Sequence, residues 1–340
     1  MKKVAILGAT GLVGQRFVQL LSSHPFFEIS ALAASDNSSG KKYREAVHWH
    51  LETPPPDKIS EMVVRDCRPD FEADYVLSAL PSDVAGPIEA ELAAAGYVVF
   101  SNASSHRLDQ DVPAVVPEVN LDHLNLIHSQ KTPGKIVTNP NCSTTGLVMA
   151  LKPIMDKFGL EAIEVVTMQA ISGAGYPGVS SLDILDNIIP YIKNEEEKIQ
   201  REAKKILGER KPDRIEPASF SLEAQCNRVP VVDGHLLSVF VRTEEKVTVK
   251  EVIKAFEDFA PLKSHKLPTA PDRPVIHWPD LEAPQPRLHR NSGGGMSVSI
   301  GRLTQISEKQ IRFVALVHNT IRGAAGCALL NAESYDLLVG

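Results

Sequence analysis

The fold of this 340-residue chain is decided near its start, by Val4-Ala5-Ile6-Leu7-Gly8-Ala9-Thr10-Gly11-Leu12-Val13-Gly14. Four apolar residues lead into a turn with three glycines, and apolar residues at helical spacing follow from Phe17 to Leu21. Glycines let a backbone approach a pyrophosphate, whose charge then meets the N-terminus of the helix. The stretch therefore predicts a strand, turn and helix that bind a dinucleotide. Six residues of the turn are expected at the cofactor: Gly8, Thr10, Gly11, Leu12, Val13 and Gly14.

The next apolar strand, residues 28–34, ends where a dinucleotide-binding unit reads the ribose. Beyond it, the hydroxyls of Ser35 and Ser38 and the ammonium of Lys41 could hold a 2′-phosphate, which favours NADP over NAD. Asp36 would repel that phosphate if it pointed inward. A solvated turn is the alternative for these residues.

Two more strands, at residues 73–81 and 98–100, extend the pattern to an open parallel sheet of the Rossmann type. Ligands of such sheets gather beyond the carboxyl ends of the strands, where the second of these two strands runs into residues 101–107. Arg107 lies there among small hydroxyl residues and is a candidate anion clamp. An ordinary exposed loop arginine is the alternative.

Cys142 follows Asn139-Pro140-Asn141 and precedes a run with helical spacing from Leu147 to Phe158. This pattern predicts a thiol at a helix N-terminus, where unpaired N–H groups and the helix dipole favour the thiolate. We therefore expect a lowered pKa and a nucleophilic sulfur. The alternative is a small buried thiol that begins a core helix.

The pattern changes after about residue 160, and residues 162–170 predict a strand of a mainly antiparallel sheet. The small residues Ser172, Gly173 and Gly175 follow in a loop flexible enough to lie against a cofactor. A helix of small residues that starts at Asn319 is expected to pack on the first domain and complete the cofactor site. We therefore predict an α/β fold whose first domain is residues 1–141, completed by a C-terminal helix 319–340, and whose second, α+β domain is residues 142–318.

Polar residues of the second domain supply further candidates. Glu202 and Lys205 share one face of a charged helix, where a surface ion pair is the alternative to a functional role. Arg228 and His235 follow at the end of a strand and after a tight turn. They could face one cleft, although their spacing alone leaves that open.

Composition excludes several classes of protein. A net charge of −6 argues against a nucleic-acid binder, and the sequence lacks the roughly 18 uninterrupted apolar residues that a membrane helix requires. The four cysteines have neither disulfide nor zinc-ribbon spacing, which favours a reduced, cytoplasmic chain. His48 and His50 form a pair without a convincing third ligand, so we expect no metal site.

Taken together, these motifs resemble the aspartate-β-semialdehyde dehydrogenase family, over essentially the whole chain and nearest to its archaeal and fungal branch. The matching motifs are Gly8-x-x-Gly11-x-x-Gly14, residues 101–107, residues 139–144, Gln169 with residues 172–175, Glu202-x-x-Lys205, Asn227-Arg228-Val229-Pro230, Gly234-His235 and residues 319–326. The resemblance implies reversible, phosphate-dependent oxidation of L-aspartate 4-semialdehyde to L-4-aspartyl phosphate with NADP, in the biosynthesis of lysine, threonine and methionine. It also implies that the second domain is catalytic and forms a homodimer, or a tetramer built from dimers.

The resemblance assigns a role to each matching polar residue. Cys142 becomes the nucleophile that forms a thioester and His235 the acid/base, while Gln169 and Asn141 orient the acyl intermediate. The remaining four residues bind substrates: Arg228 and Glu202 the carboxylate and amino group, and Arg107 and Lys205 the phosphate.

Two other kinds of protein are alternatives to this family. N-acetyl-glutamyl-phosphate reductase shares the architecture but usually carries Pro-Gly-Cys, where this chain has Pro140-Asn141-Cys142. A non-catalytic paralogue would have lost Cys142 or His235, and both are present. One departure bears on the cofactor: the family often has an arginine where this chain has Asn37, which weakens the expectation of NADP.

Overall fold

The N-terminal half of the chain folds around a six-stranded sheet. The computed structural model describes residues 1–339, so Gly340, the end of the predicted helix 319–340, lies outside the described residues. The strands are β1 (Lys2–Leu7), β2 (Phe27–Ala33), β3 (Val64–Arg65), β4 (Tyr75–Ser78), β5 (Val98–Ser101) and β6 (Lys135–Thr138). All neighbours pair in parallel, in the order β3-β2-β1-β4-β5-β6. This is the strand order of a doubly wound dinucleotide-binding sheet, and the predicted fold class is confirmed.

Helices connect these strands on both faces of the sheet, as parallel pairing requires. They are α1 (Leu12–Leu21), α2 (Tyr43–Ala46), α3 (Asp57–Ser60), α4 (Ser82–Ala94) and α5 (Pro117–Asn120), followed by a 3₁₀ helix at Leu121–Ser129. The first helix starts directly after the glycine turn, and its residues Phe17, Val18 and Leu21 are buried, as the spacing predicted.

A second sheet fills the other half of the chain. Its elements in chain order are α6 (Cys142–Phe158), β7 (Ala162–Gln169), α7 (Ser181–Ile184), α8 (Glu195–Ile206), β8 (Glu209–Arg210), β9 (Ile215–Glu216), β10 (Ser221–Arg228), β11 (His235–Arg242), α9 (Val249–Asp258), β12 (Val275–His277), α10 (Pro286–His289), β13 (Val298–Ser307), β14 (Gln310–Val317) and α11 (Gly326–Leu338). The sheet order is β10-β7-β11-β14-β13-β12, and β8 pairs with β9 separately. The sheet is mixed, since β7 pairs with β10, and β12 with β13, in parallel, while the other three pairings are antiparallel.

The register of this sheet gathers polar residues at one edge. Gln169 and Arg228 are paired at the carboxyl ends of the parallel strands β7 and β10. His235 begins the antiparallel strand β11 at the same edge, opposite Val317 at the end of β14. Residues that are far apart in the sequence therefore share one rim, because strand direction and register place them there.

Helix α6 packs against this second sheet. Leu147, Leu151, Ile154 and Phe158, which showed the helical spacing, are buried in one core with strand residues such as Val239. Burying side chains of this size stabilises the fold by about 1.5–3 kcal/mol each. The start of α6, and with it Cys142, is thereby fixed relative to the sheet edge.

The C-terminal segment returns to the first sheet. Ala328, Leu329 and Ala332 of α11 belong to the same core as Val4 and Ile6 of β1. The helix starts later than residue 319, because residues 321–325 form a π turn with hydrogen bonds from Gly323 and Ala325 to carbonyls five residues back.

A buried ion pair anchors this π turn. The Arg322 guanidinium donates to both carboxylate oxygens of Glu118, at 2.7 and 2.6 Å, and both side chains are fully buried. Bidentate geometry of this kind is the arrangement in which a buried pair best offsets its desolvation. The turn is therefore held in one position between the two sheets.

Within residues 1–339, no helix is long and apolar enough to cross a bilayer. The same part of the chain contains no group of three or more His, Cys, Asp or Glu side chains placed to hold a metal ion.

Candidate active site

Cys142 is the first residue of α6, as predicted, and Asn141 caps the helix. The Asn141 Oδ1 accepts hydrogen bonds from the N–H groups of Ser143 and Thr144, at 2.8 and 3.3 Å. Its Nδ2 donates to Glu195 Oε1 at 2.7 Å. Both ends of the Asn141 side chain are thus hydrogen-bonded at the helix start. That Asn141 orients an acyl group stays a prediction.

The structure brings His235 and Cys142 together, although 93 positions separate them in the sequence. The distance from His235 Nε2 to Cys142 Sγ is 3.1 Å. On the other side of the ring, the Ala170 N–H donates to His235 Nδ1 at 3.0 Å. A backbone N–H can only donate, so neutral His235 carries its proton on Nε2, facing the sulfur.

The electrostatics of this pair differ from the expectation. Burial, and secondly the charge of Glu195, raise the pKa of the Cys142 thiol to about 12, and the positive charges of Arg107 and Arg228 oppose this only in part. The predicted lowering of the pKa is therefore wrong for the ligand-free protein. A helix N-terminus contributes only about 0.3–1 kcal/mol, less than one pKa unit, whereas burial can shift a pKa by about 3–5 units.

The imidazole of His235 is neutral for related reasons. Burial, followed by the positive charge of Arg228 and then the neighbouring His318, lowers its pKa well below the ordinary value. The resting pair is therefore a thiol and a neutral imidazole. Neither group carries a net charge in the buried site.

Arg228 lies beside this pair. Its Nη1 donates to the carbonyl oxygen of Ala170 at 2.7 Å, the same residue whose N–H orients His235. A Cβ at Gly173 would lie 2.8 Å from Arg228 Nη1 and 2.9 Å from His235 Cε1, so only glycine fits there. Gln169 is buried next to Arg228, and its Nε2 donates to Thr167 Oγ1 at 3.2 Å. The convergence of Arg228 and His235, which spacing left open, is thus present.

Glu202 connects the start of α6 to the loop that carries Arg107. Its Oε1 accepts from Arg107 Nη1 at 3.1 Å, and its Oε2 accepts from the Asn141 N–H at 2.6 Å. Arg107 Nη2 donates to the Asn102 carbonyl at 2.6 Å. Glu202 is 2% exposed, so it is not part of a surface ion pair. Arg107 is 7% exposed, so it is not an exposed loop arginine either.

Lys205, which the resemblance assigns to phosphate, is hydrogen-bonded within the protein. Its ammonium donates to three backbone carbonyls, those of Arg107, Asp109 and Val112, at 2.8, 2.8 and 2.7 Å. An ammonium has three donors, so none is left for a phosphate. Burial lowers the pKa of Lys205 to about 8, against the opposing charges of Asp109 and Asp111.

The glycine turn after β1 fits a dinucleotide pyrophosphate. Gly8 has a φ of +67°, and a Cβ at Gly14 would lie 2.2 Å from the Gly8 carbonyl oxygen. Gly11 caps α1 without a side-chain hydrogen bond, which leaves the first N–H groups of the helix, including those of Leu12 and Val13, to a ligand. Gln15 braces the turn through its bond to the Thr10 carbonyl at 3.0 Å.

Other residues expected at the cofactor are hydrogen-bonded within their own parts of the chain or across to the second domain. After β2, Ser35 accepts from the Ser38 N–H at 2.8 Å, and Lys41 Nζ donates to the Asn37 carbonyl at 2.8 Å. Asn319 joins the second domain: its Oδ1 accepts from the Gly234 N–H and its Nδ2 donates to Ser172 Oγ, both at 2.8 Å.

A cavity lies between the glycine turn and the second domain. Its volume is about 490 Å³, and residues expected at the cofactor line it: Leu12, Ser172 and Gly175. The candidate cofactor residues of the two domains therefore face a common space.

Sequence reasoning missed two parts of the site. Glu195 was grouped with the other charged residues of its helix, yet it is 6% exposed and hydrogen-bonded to Asn141, the residue before Cys142. Ala170 acts through its backbone, which no side-chain pattern reveals. The only indication for Glu195 was its place at the start of the helix that carries Glu202 and Lys205.

Comparisons with known proteins agree with this geometry. The family model described as the NAD binding domain of semialdehyde dehydrogenase matches residues 3–127, and that described as the dimerisation domain matches residues 151–322. The aspartate-semialdehyde dehydrogenase of Archaeoglobus fulgidus is 50% identical over 336 residues, which cover 97% of this chain and 96% of that protein. The chain belongs to the aspartate-semialdehyde dehydrogenase family.

Fungal members of this aspartate-semialdehyde dehydrogenase family are also similar. The protein of Schizosaccharomyces pombe is 47% identical over 98% of this chain and 97% of its own length. The crystal structure of the Candida albicans enzyme with NADP has a TM-score of 0.91 at 42% identity, and covers 99% of this chain and 98% of that one. The predicted similarity to the archaeal and fungal branch of the family is confirmed. The chain is an oxidoreductase with a domain that binds a nicotinamide dinucleotide.

The raised pKa of Cys142 predicts how the ligand-free enzyme reacts with iodoacetamide. Because the thiolate is the reactive form, alkylation of Cys142 should rise about tenfold per pH unit from about pH 7 to 9 without levelling. Mass spectrometry of the peptide that contains Cys142 measures the rate, with glutathione as the reference thiol. A rate that levels near about pH 8 would show a pKa in the ordinary range.

Proposed function

We propose that this enzyme interconverts L-aspartate 4-semialdehyde and L-4-aspartyl phosphate through a thioester on Cys142, with NADP and inorganic phosphate. The observation that carries the proposal is the 3.1 Å approach of His235 Nε2 to Cys142 Sγ at a rim shared with Arg228. The names of the archaeal and fungal relatives support the substrate, and the NADP complex of the Candida albicans enzyme supports the cofactor. The reaction belongs to lysine, threonine and methionine biosynthesis, and the cysteine spacing favours a reducing cytoplasm.

The residues fit NADP in three places. The free N–H groups at the start of α1 would hold the pyrophosphate, and Ser35, Ser38 and Lys41 the 2′-phosphate. On the other side of the cavity, Gly173, Gly175 and Asn319 would border the nicotinamide. When bound there, the cofactor accepts a hydride from the substrate or returns one.

Covalent catalysis begins at Cys142. In the oxidative direction the thiol releases its proton to solvent, and the thiolate bonds to the aldehyde carbon, which turns the carbonyl oxygen into an alkoxide. Loss of a hydride from that carbon restores the C=O bond and leaves a thioester. Each of the two steps is easier than direct conversion of an aldehyde to an acyl phosphate.

His235 serves this sequence as a donor. Because the Ala170 N–H occupies Nδ1, the proton on Nε2 faces Cys142 Sγ, and an alkoxide on the carbon bonded to that sulfur would form within reach of it. We therefore propose that His235 stabilises the tetrahedral oxygen, in place of the acid/base role that the resemblance implied. The same hydrogen bond assists the reverse reaction, since hydride addition to the thioester forms the same alkoxide.

Phosphate then attacks the thioester carbon and the Cys142 thiolate leaves. We propose that Arg107 binds this phosphate, because its Nε is buried and has no hydrogen-bond partner within residues 1–339. Arg228, whose planar guanidinium matches a carboxylate, would hold the substrate's carboxylate. Lys205 would hold the Arg107 loop in place from behind.

A direct assay tests the reaction. Wild-type enzyme should form NADPH from L-aspartate 4-semialdehyde only when phosphate is present, and Cys142→Ala should form none. His235→Gln should lower kcat by about 10²–10³, the usual cost of losing one oxyanion donor. Absorbance at the NADPH band measures the rate, and Cys67→Ala serves as the control that keeps activity.

Two outcomes would change the assignment. Full activity of Cys142→Ala would exclude the thioester mechanism. Activity with N-acetyl-glutamate semialdehyde, and none with aspartate semialdehyde, would make the enzyme an N-acetyl-glutamyl-phosphate reductase.

The contacts of Lys205 predict an indirect effect on phosphate. Lys205→Met removes three hydrogen bonds to the 107–112 loop, so the KM for phosphate should rise at least about tenfold, and thermal stability should fall as well. Initial rates at varied phosphate and a melting curve measure the two effects, with Lys204→Met as the neighbouring control. A higher KM at unchanged stability would instead indicate that Lys205 contacts phosphate directly.

We also propose that the enzyme is a homodimer through its second domain, whose family description includes dimerisation. Leu182, Leu185, Ile188 and Tyr191 are between 58% and 91% exposed, an apolar cluster that a partner chain would cover. Sedimentation of the wild type should give twice the mass of one chain, and Leu182→Asp with Ile188→Asp should shift it toward the monomer. A monomeric wild type would exclude the dimer, and a fourfold mass would indicate a tetramer.

A further inference from the structure

We propose that Arg16 and Asp233 are positioning residues for hydride transfer. Their contact joins helix α1, at which the cofactor would bind, to the turn that carries His235. This inference rests on the proposed function and extends it from the groups that touch the substrate to the contact that aligns the two domains.

The turn before His235 consists of Asp233 and Gly234. Gly234 has a φ of +101°, a left-handed conformation that favours glycine. Its N–H donates to Asn319 Oδ1 at 2.8 Å, and Arg290 Nη1 donates to the Asp233 carbonyl oxygen at 3.1 Å. Both contacts use the backbone of the turn, so they leave the Asp233 carboxylate to another partner.

That partner is Arg16, in the second turn of α1. Its Nη2 lies 3.5 Å from Asp233 Oδ2, and its Nε donates to Thr320 Oγ1 at 3.2 Å. Thr320 directly precedes the π turn, and a Cβ at Gly323 of that turn would lie 2.6 Å from Cys142 Cβ. One guanidinium of the first domain therefore contacts the segment before the imidazole and the segment that packs against the nucleophile.

Charge favours this arrangement of the side chains. The side chains of Arg16 and Asp233 are 15% and 16% exposed, so the ion pair is largely shielded from water. Burial lowers the pKa of Arg16, the charge of Asp233 raises it, and the charge of Arg290 lowers it. Two guanidiniums thus lie near one carboxylate, and the carboxylate offsets their repulsion.

The same pair borders the space expected for the cofactor. Leu12, Arg16 and Asp233 all line the cavity of about 490 Å³. Leu12 begins α1, where unpaired N–H groups would hold the pyrophosphate, and Arg16 lies four residues further along the same face of the helix. A cofactor bound at the start of α1 is thereby held in a fixed position relative to the turn before His235.

Hydride transfer is the step that needs this alignment most. The substrate carbon is bonded to Cys142 in the second domain, whereas the cofactor is held by the first. Reacting atoms must approach to about 3–3.5 Å, and a displacement of about 1 Å can cost about 10²-fold in rate. The Arg16–Asp233 contact limits such displacement without touching the reacting atoms.

Kinetics of two single variants test this role. Arg16→Gln and Asp233→Asn should each lower kcat about tenfold and leave the three KM values within about twofold. With deuterium on the aldehyde carbon of the substrate, the isotope effect on kcat should rise in both variants, because hydride transfer becomes the slow step. Melting curves should change little, since one partly exposed ion pair contributes little to stability. Arg44→Gln, which removes an ion pair with Glu61 inside the first domain, is the control and should change neither kcat nor the isotope effect.

The double variant shows whether the two residues act through each other. Arg16→Gln combined with Asp233→Asn should lose about tenfold in kcat, as each single variant does, and not about a hundredfold. Losses that multiply would overturn the inference, and so would an unchanged kcat or isotope effect in either single variant. A raised KM for NADP in Arg16→Gln alone would also overturn it, because Arg16 would then bind the cofactor directly.

Amide hydrogen exchange tests the contact without turnover. NADP should slow exchange in residues 229–236 of the wild type and should have no effect on that segment in Arg16→Gln. If the wild type shows this protection but has no activity on aspartate semialdehyde, the proposed reaction fails while the link between the domains stands. An active wild type without protection of the segment by NADP would overturn the link by itself.

Discussion

The carboxylate of Glu202 is the interaction on which the arrangement of this site depends. It joins three segments that are far apart in the sequence: the loop after β5 through Arg107, the start of α6 through the Asn141 N–H, and α8 itself. Without it, a buried guanidinium and a buried N–H would lose their partner, and such orphaned groups cost about 1–3 kcal/mol each, or more when charged. Glu195, Glu202 and Lys205 are spaced seven and three residues apart, so one face of α8 carries all these contacts.

The charge balance of the site follows from its burial. A thiolate and an imidazolium would each lose hydration there, and the pKa directions of Cys142 and His235 both favour the neutral forms. Arg107 and Arg228 supply positive charge that is already compensated or bound to carbonyls. Burial thus favours the thiol form of Cys142 in the ligand-free protein, and a thiol reacts with oxidants and alkylating agents more slowly than a thiolate does.

The sequence predicted the features that depend on neighbouring residues better than those that depend on contacts between distant segments. The glycine turn from Gly8 to Gly14 and the helix start at Cys142 were predicted well, because local spacing and backbone sterics determine both. The meeting of Arg228 with His235 could only be suspected, since it depends on the register of β7, β10 and β11. The errors have an equally physical origin. The pKa of Cys142 was predicted from the helix end, a local effect, whereas burial dominates and is a property of the whole fold. The resemblance assigned Lys205 to phosphate, and the sequence did not show that three carbonyls would surround its ammonium.

The return of α11 to the first sheet bears on how this protein is made. Residues from Ala325 to Tyr335 complete the core around Val4, Ile6 and Phe100, so the first domain lacks part of its interior until nearly the whole chain has been synthesised. Domains that are continuous in sequence can fold one after another as they leave the ribosome. The core of the first sheet is therefore completed only by α11, whereas all six strands of the second sheet lie on one continuous stretch of sequence, from Ala162 to Val317.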